Sequence, residues 1–359
     1  MRRAITAFNL VAIGILLVAC VLVPQHSGEL TIQRLTYVGI YFSALVGLNI
    51  LVGYSGQVSL GGYAFFGIGA YTTTLLTLGR PGMEAYGHNP PSWLPLGDGM
   101  HAIFTIPIAA LVAGLFGYAF GLPAQRLAGV SLALATFAVA VSFPQILKKF
   151  ENVTGGGGGL NLNLPETPFG LDINVSHWLY YEAWGTAGIL ALIAWLLLRG
   201  RLGRSLGALR DGEIAAVSAG INPTGYKTFA FGISAAYAGA AGGLFAELVA
   251  YVNPDTFPAS RSIILLASLV LGGVGSMYGA LIGAFAMEYL QIWSEKAPFV
   301  SKEASNQAPA VVFGVILILV MFLAPNGLAG LLRRLARAII QRLDSKNTVA
   351  MSQSRRAEA

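Results

Sequence analysis

Charge is almost absent from seven long stretches of this chain: 4–23, 35–53, 102–122, 128–147, 177–198, 228–250 and 309–324. Each approaches the about 20 apolar residues that an α-helix needs to cross a bilayer. Their centres hold no Asp, Glu, His, Lys or Arg. A soluble domain carries about 25% charged residues, whereas this chain of 359 residues carries 11%, against 55% hydrophobic. So little charge cannot cover a water-soluble globule, and lipid is the expected solvent for most of its surface. The 45 glycines agree with this, because glycine is commoner in transmembrane helices than in soluble ones. In lipid every backbone polar group must be satisfied within the chain, which leaves helices as the spanning element here.

The first stretch has two readings. Arg2 and Arg3 followed by an apolar run resemble a signal peptide, and Leu17-Val18-Ala19-Cys20 resembles a lipoprotein cleavage box. Apolar residues continue past the cysteine through Val23, so a first membrane span is the preferred reading. Cys20 is the single cysteine, which rules out an intrachain disulfide and a thiolate metal cluster.

Lys and Arg are retained on the cytoplasmic side of a membrane. With the N-terminus inside, the inner segments hold Arg2, Arg3, Arg126, Arg199, Arg201, Arg204, Arg210, Lys227 and seven basic residues from Arg333 onward. The outer segments hold Arg34, Arg80, Lys148, Lys149, Arg261, Lys296 and Lys302. That asymmetry makes the net charge of +6 a topology signal rather than a nucleic-acid patch. Both termini are then expected in the cytoplasm.

Two regions break the simple pattern. The stretch 261–294 is too long for one span and is interrupted by LGGVGSMYG at 271–279. A single crossing there would put the basic tail outside. A hairpin entered from the outer side, folding at Gly272, Gly273, Gly275 and Ser276, keeps the tail inside. The second break is Gly53-Tyr54-Ser55-Gly56-Gln57-Val58-Ser59-Leu60-Gly61-Gly62. Broken backbone at membrane depth is tolerated only where protein or a water-filled cavity surrounds it. Gly-interrupted segments in two halves of a chain point to a transport path, and close helix packing is the plainer use of the same glycines. Gly53, Gly56, Ser59, Gly61, Gly272, Gly273, Gly275 and Ser276 are the candidate path positions. The fold class is therefore an all-α polytopic integral membrane protein of about 8–10 transmembrane helices, Gly-broken or re-entrant segments included. Residues 1–327 form the membrane domain, with a cytoplasmic loop at 199–227. Residues 328–344 read as a basic amphipathic surface helix on membrane lipid, and 345–359 as a disordered tail.

Several chemistries lack their residues. No G-x-x-x-x-G-K-[ST] occurs, and the five glycines at 155–159 are not followed by Lys-Ser or Lys-Thr, so no P-loop holds phosphates. His26, His88, His101 and His177 lie in or beside outer loops without metal-ligand spacing. No catalytic residue or metal site is expected, and the chain is not expected to be an enzyme. Proton relays usually show as intramembrane ionisable residues. Glu182, Glu247 and Glu288 fall near span ends and are expected to meet water there, with lining of an outer substrate mouth as the alternative.

One polar island remains, ALRDGEIAAVSAGINPTGYK at 208–227. Asp211 is a good N-cap and Glu213 puts negative charge in the first turn. Gly220 and Pro223 are stop signals. The result is a helix of about eight residues, marginal in water by itself. Ile214, Val217 and Ile221 share an apolar face, which must pack on its own membrane domain, on lipid or on a partner.

This segment resembles the cytoplasmic coupling loop of ABC-importer permeases, with the motif E-A-A-x-x-x-G. Ala215-Ala216-Val217-Ser218-Ala219-Gly220 keeps the A-A-x-x-x-G spacing, and Glu213 stands one residue further upstream than in the strict motif. Residues 208–246, together with NILVGYSGQVSLGGYAFFGIGAY (49–71), GVSLALATFAVAV (129–141) and LVLGGVGSMYGALIGA (269–284), are similar to LivM-type permease subunits of branched-chain amino-acid importers. The resemblance covers about residues 35 to 325 and rests on four motifs in the same order.

It implies a multi-pass protein of the bacterial inner membrane that pairs with a second, homologous permease subunit (LivH-like). Two cytoplasmic ABC ATPase subunits, carrying ATP and Mg, would drive it, and a periplasmic amino-acid-binding protein would deliver substrate. This chain itself would hold no cofactor and contact no nucleic acid. Arg210, Asp211, Glu213, Ala215, Ala216, Gly220 and Ile221 would meet the ATPase. A permease of the same architecture for urea or short amides, and an ion-coupled secondary transporter or channel, are the alternatives. A bulky residue at Gly56 or Gly272 is expected to abolish uptake of labelled substrate while leaving assembly intact, and normal uptake in both variants overturns the path assignment.

Overall fold

A computed structural model describes residues 24, 27–92, 94, 96–127, 129–162, 174–295, 314–316, 318–319, 322 and 327–331. The expected span at 4–23 and the tail at 345–359 lie outside these, and only fragments of 309–324 and 328–344 are included. The chain divides into two compact units, Met1–Leu266 and Ala267–Ala359. Among the described residues, six helical segments are long and apolar enough to cross a membrane.

In the first unit, α1 (Glu29–Asn49) continues as a π-helical stretch, Ile50–Tyr54. Helix α2 (Gly62–Ala85), α3 (Ala102–Ala124) and α4 (Val130–Lys149) follow. A single turn, α5 (Glu151–Thr154), precedes strand β1 (Leu160–Asn161). Then come α6 (Val175–Arg199), α7 (Arg201–Asp211), α8 (Glu213–Ser218) and α9 (Pro223–Val249). The expected spans thus appear nearly in place. Helix α2 is not among those expected spans, and Gly79, with φ 61° and ψ −172°, interrupts it.

Helices α1 and α9 are enclosed, whereas α3, α4 and α6 expose most of their apolar length. Leu111, Leu115 and Phe116 on α3, Leu134 on α4 and Ile189 on α6 all face outward. Outward apolar faces are stable only against lipid or another apolar partner. With no hydrophobic drive between helices in lipid, close backbone approach between small residues holds the bundle together. Along α9, Gly239, Gly242 and Gly243 do this work. A Cβ on Gly242 would run into the Phe66 carbonyl, and one on Gly69 into the Gly239 backbone. Farther along, Gly117 of α3 faces Ala235 and Gly47 of α1 faces Tyr237 as tightly. Tyr237 also donates its hydroxyl to the Leu190 carbonyl of α6 at 2.8 Å.

At the bundle end away from Arg199 and Lys227, β1 pairs with β2 (Tyr251–Val252), with Leu160 opposite Val252. Lys148 and Asp255 form an ion pair beside it at 2.7 Å. Phe257, just beyond, meets the rings of Tyr63, Phe66, Tyr71, Phe143 and Phe245. The glycine run before β1 shapes a turn, with Gly155, Gly156 and Gly159 at positive φ.

Past Ser55, whose N–H closes the π-helical stretch on the Ile50 carbonyl at 3.2 Å, residues 56–61 climb into the bundle off the helical ladder. Gln57 lies beside Lys227, near the start of α9, while Gly69 lies beside Gly239, twelve residues farther along α9, a rise of about 18 Å at 1.5 Å per residue. Side-chain hydroxyls satisfy the freed backbone. Leu60 N–H donates to Thr136 Oγ1 at 2.9 Å, Gly61 N–H to Ser59 Oγ at 3.3 Å, and Tyr63 N–H to Ser262 Oγ at 3.1 Å.

In the second unit, α10 (Ala259–Gly272), which begins in the first, turns at 273–276 into α11 (Met277–Glu295). The turn falls at the glycines where the sequence placed it. A Cβ on Gly272 would run into the Gly279 carbonyl, so the two helices meet backbone to backbone at the turn.

Gly242→Leu is expected to lower stability by about 3 kcal/mol or more, because overpacking a closed seam cannot be relieved by side-chain movement. Gly185→Ala, where an added Cβ meets nothing within 4 Å, should be neutral or stabilising. Thr136→Val should cost roughly 1–3 kcal/mol by orphaning the Leu60 N–H. Thermal unfolding of the purified protein in detergent measures all three.

Candidate functional site

The polar island folds as two short helices, not one. Asp211 closes α7, and Gly212, at φ −171° and ψ 90°, stands at the N-cap position of α8 without a side-chain cap. The expected N-capping role of Asp211 is therefore wrong. Its carboxylate instead takes the Arg210 Nε–H at 2.9 Å, because the helix has not yet ended when the chain reaches it. Helix α8 has six residues, fewer than its sequence suggested. Its last turn closes at Gly220, with φ 83°, and Asn222 caps α9 by accepting from Gly225 N–H at 3.4 Å.

Helix α7 packs through Leu206 and Leu209, both buried. Helix α8 packs only through Ala216. Ile214 is 87% exposed and Val217 49%, and Ala215 and Gly220 are exposed too. Ile221 is half-buried. The apolar face thus turns away from the rest of the chain, so among the described residues it has no covering neighbour within its own membrane domain.

Polar ties hold this corner to the bundle. Arg210 Nη1–H donates to the Gly53 carbonyl at 2.7 Å. A charge-assisted bond of this kind is roughly twice as strong as a neutral one. Lys227 Nζ meets Glu213 Oε1 at 2.8 Å. Gln57, buried, donates from Nε2 to the Lys227 carbonyl at 3.2 Å and to Ser55 Oγ at 3.1 Å, and its Oε1 accepts from Gln125 Nε2 at 3.2 Å. Gly56 sits inside this cluster at φ +72°, where a Cβ would stand 3.0 Å from Arg210 Cγ.

The candidate path positions divide between the two units. Gly53, Gly56, Ser59 and Gly61 lie in the first, at the segment that climbs from α1 to α2. Gly53 offers its carbonyl to Arg210, Ser59 is buried, and a Cβ on Gly61 would lie 3.1 Å from the Thr136 carbonyl. Gly272, Gly273, Gly275 and Ser276 lie in the second, at the hairpin turn. Gly273 and Gly275 have φ of 118° and 77°, and Ser276 Oγ accepts the Gly279 N–H at 3.3 Å. Each group thus has a conformational or packing role. Sequence reasoning missed Thr136, Ser262, Gln57 and Gln125. Their signal is faint, because a lone hydroxyl or amide in an apolar run reveals its partner only after folding.

Glu182 and Glu247 depart from expectation. Both are buried, at 7% and 0% exposure. They stand side by side between α6 and α9, and no carboxyl oxygen of either has a hydrogen-bond partner of good geometry. Gly39 and Gly47 of α1 let Trp184 of α6 and Tyr237 of α9 approach closely, and the helices so packed enclose positions that span length alone puts near an interface.

The family profile described as "Branched-chain amino acid transport system / permease component" matches residues 30–323. The high-affinity branched-chain amino acid transport system permease protein LivM of Escherichia coli K12 is 33% identical over 344 residues, covering 89% of this chain and 74% of that protein. LivM of Salmonella typhimurium LT2 matches to the same extent. The autoinducer 2 import system permease protein LsrC of Yersinia pestis is 30% identical over 109 residues, 29% of this chain and 31% of that protein. No solved structure matches. With its apolar helices, its two glycine-broken segments and a match along most of its length, this chain belongs to the family of branched-chain amino acid transport system permease components, as a multi-pass membrane protein of the LivM type.

Proposed function

We propose that this chain is the permease subunit of an ATP-driven ABC importer for branched-chain and other hydrophobic amino acids, seated in the bacterial inner membrane. The observation that carries this is the 33% identity to LivM over 89% of the chain, together with the bare apolar face of α8. In this reading the end bearing Arg199, Arg210 and Lys227 faces the cytoplasm, as basic residues favour.

Two ABC ATPase subunits, holding ATP and Mg, cover Ile214 and Val217. Arg210, Asp211, Glu213, Ala215, Ala216, Gly220 and Ile221 form or flank their socket. A second, LivH-like permease covers part of the outward apolar surface, and a periplasmic binding protein delivers substrate. Closure of the ATPases moves α8 and reorients the helices around the two breaks, in alternating access. The substrate zwitterion meets backbone groups and half-helix ends near Gly53, Gly56, Ser59, Gly61, Gly272, Gly273, Gly275 and Ser276 rather than charged side chains. The chain performs no chemistry of its own, so hydrolysis belongs to the ATPases.

Proteoliposomes holding this chain, a LivH-like permease, two ATPases and the binding protein are expected to take up labelled leucine only with ATP. Uptake by this chain alone without ATP overturns the reading in favour of a secondary transporter, and uptake of urea or acetamide in place of leucine overturns the substrate class. In the same assay Gly220→Trp should insert normally yet hydrolyse ATP without uptake. An added Cβ at Gly220 meets nothing within 4 Å, so the strain is that of a left-handed residue, roughly 1–2 kcal/mol. Gly220→Asn, which tolerates that conformation, should stay close to wild type.

A further inference from the structure

Helix α8 buries too little to transmit a push by packing. Ala216 is its one buried side chain, and glycines flank the helix on both sides, Gly212 before it and Gly220 after it. Besides the packing of Leu206 and Leu209 on α7, two polar ties join this corner to the membrane helices, and both end on the same short stretch, residues 53–57.

The first tie is Arg210 to the Gly53 carbonyl at 2.7 Å, with Asp211 holding the guanidinium through Nε. The second runs from Glu213 to Lys227 Nζ, then from the Lys227 carbonyl to Gln57. Gln125 adds the end of α3 to the same amide. Residues 50–54 are π-helical, a winding that concentrates at functional sites. Immediately beyond, residues 58–61 have left the helical ladder and hang on the hydroxyls of Ser59 and Thr136. The stretch gripped by the ties therefore runs from the π-helical turn to the point where the chain leaves the helical ladder.

We propose that Arg210 and Gln57 are the joint through which displacement of α8 reaches the break between α1 and α2, so that Arg210 and Glu213 act inward on the permease as well as bordering an ATPase socket. The proposal rests on the importer reading above. Each tie is a discrete contact, made or broken, which is the kind of element that can carry a two-state signal. Gly56 fits the joint because its positive φ and missing Cβ leave room for the Arg210 stem. Both residues are positioning residues and need not touch substrate.

The test compares Arg210→Gln and Gln57→Leu in the assembled importer, with ATP hydrolysis and leucine uptake measured on the same preparation. The ATP consumed per leucine should rise roughly tenfold in each variant, within the range that coupling residues reach, while in Gln57→Leu, which lies off the ATPase socket, hydrolysis and co-purification with the ATPases stay near wild type. Arg210→Lys, which can still donate to one carbonyl, should recover part of the loss. The double variant should be no worse than the poorer single one, because ties in one joint are not additive.

An unchanged ratio of ATP to leucine overturns the joint. So does a parallel fall in hydrolysis, uptake and thermal stability, which would mark a merely structural role. If Arg210→Gln does not assemble, Gln57→Leu decides alone by the same ratio. Wild-type uptake that ignores ATP would show, before any variant is compared, that the importer reading itself has failed.

Discussion

Backbone that leaves a helix inside a membrane must find its hydrogen bonds within the protein, since each orphaned group costs several kcal/mol in hydrocarbon. The segment between α1 and α2 meets that demand with borrowed hydroxyls. Thr136 of α4, Ser262 of α10 and Ser59 of the segment itself hold Leu60, Tyr63 and Gly61. Because the donors of the bonds belong to one segment and the acceptors to several helices, the break also stitches the bundle together. A helix in its place would satisfy itself and bind nothing. The irregular stretch thus ties α4 and α10 to the junction of α1 and α2.

The glycine and alanine seam along α9 supports this arrangement. Small residues let α2, α3 and α1 approach the α9 backbone, and α9 becomes the enclosed centre of the bundle. The large apolar side chains are displaced outward, onto α3, α4 and α6. This inverts the pattern of a water-soluble core. It suits a membrane protein whose perimeter meets lipid and whose interior packs backbone against backbone.

Polar residues concentrate at one end of the bundle, where α8 stands off the surface with its apolar face bare. The ion pair between Lys227 and Glu213 and the bond from Arg210 to Gly53 tie the 208–227 segment together and bring it into direct contact with the first break. Loop and break are about 150 residues apart in sequence, Gly53 and Arg210 being 157 positions apart. The proposed division of labour follows from this: apolar residues of α8 face a partner, and the charged ones face the permease.

Much of the architecture was legible in the chain because hydropathy and the positive-charge bias depend on local composition. The spans and the turn at 273–276 follow from run lengths and glycine placement, whereas what the apolar face of α8 packs on stayed open. The four ordered motifs carried the family. The sequence could not show that Asp211 lies one residue too early to cap α8, because helix ends move with the contacts of the flanking turn. Nor could it show that Glu182 and Glu247 stand together out of water, since burial depends on which helices pack on either side. Local composition determined which segments enter the membrane. Only the tertiary structure decided which hydroxyl, amide or guanidinium meets each freed backbone group, because those partners lie on different helices and are brought together by packing alone.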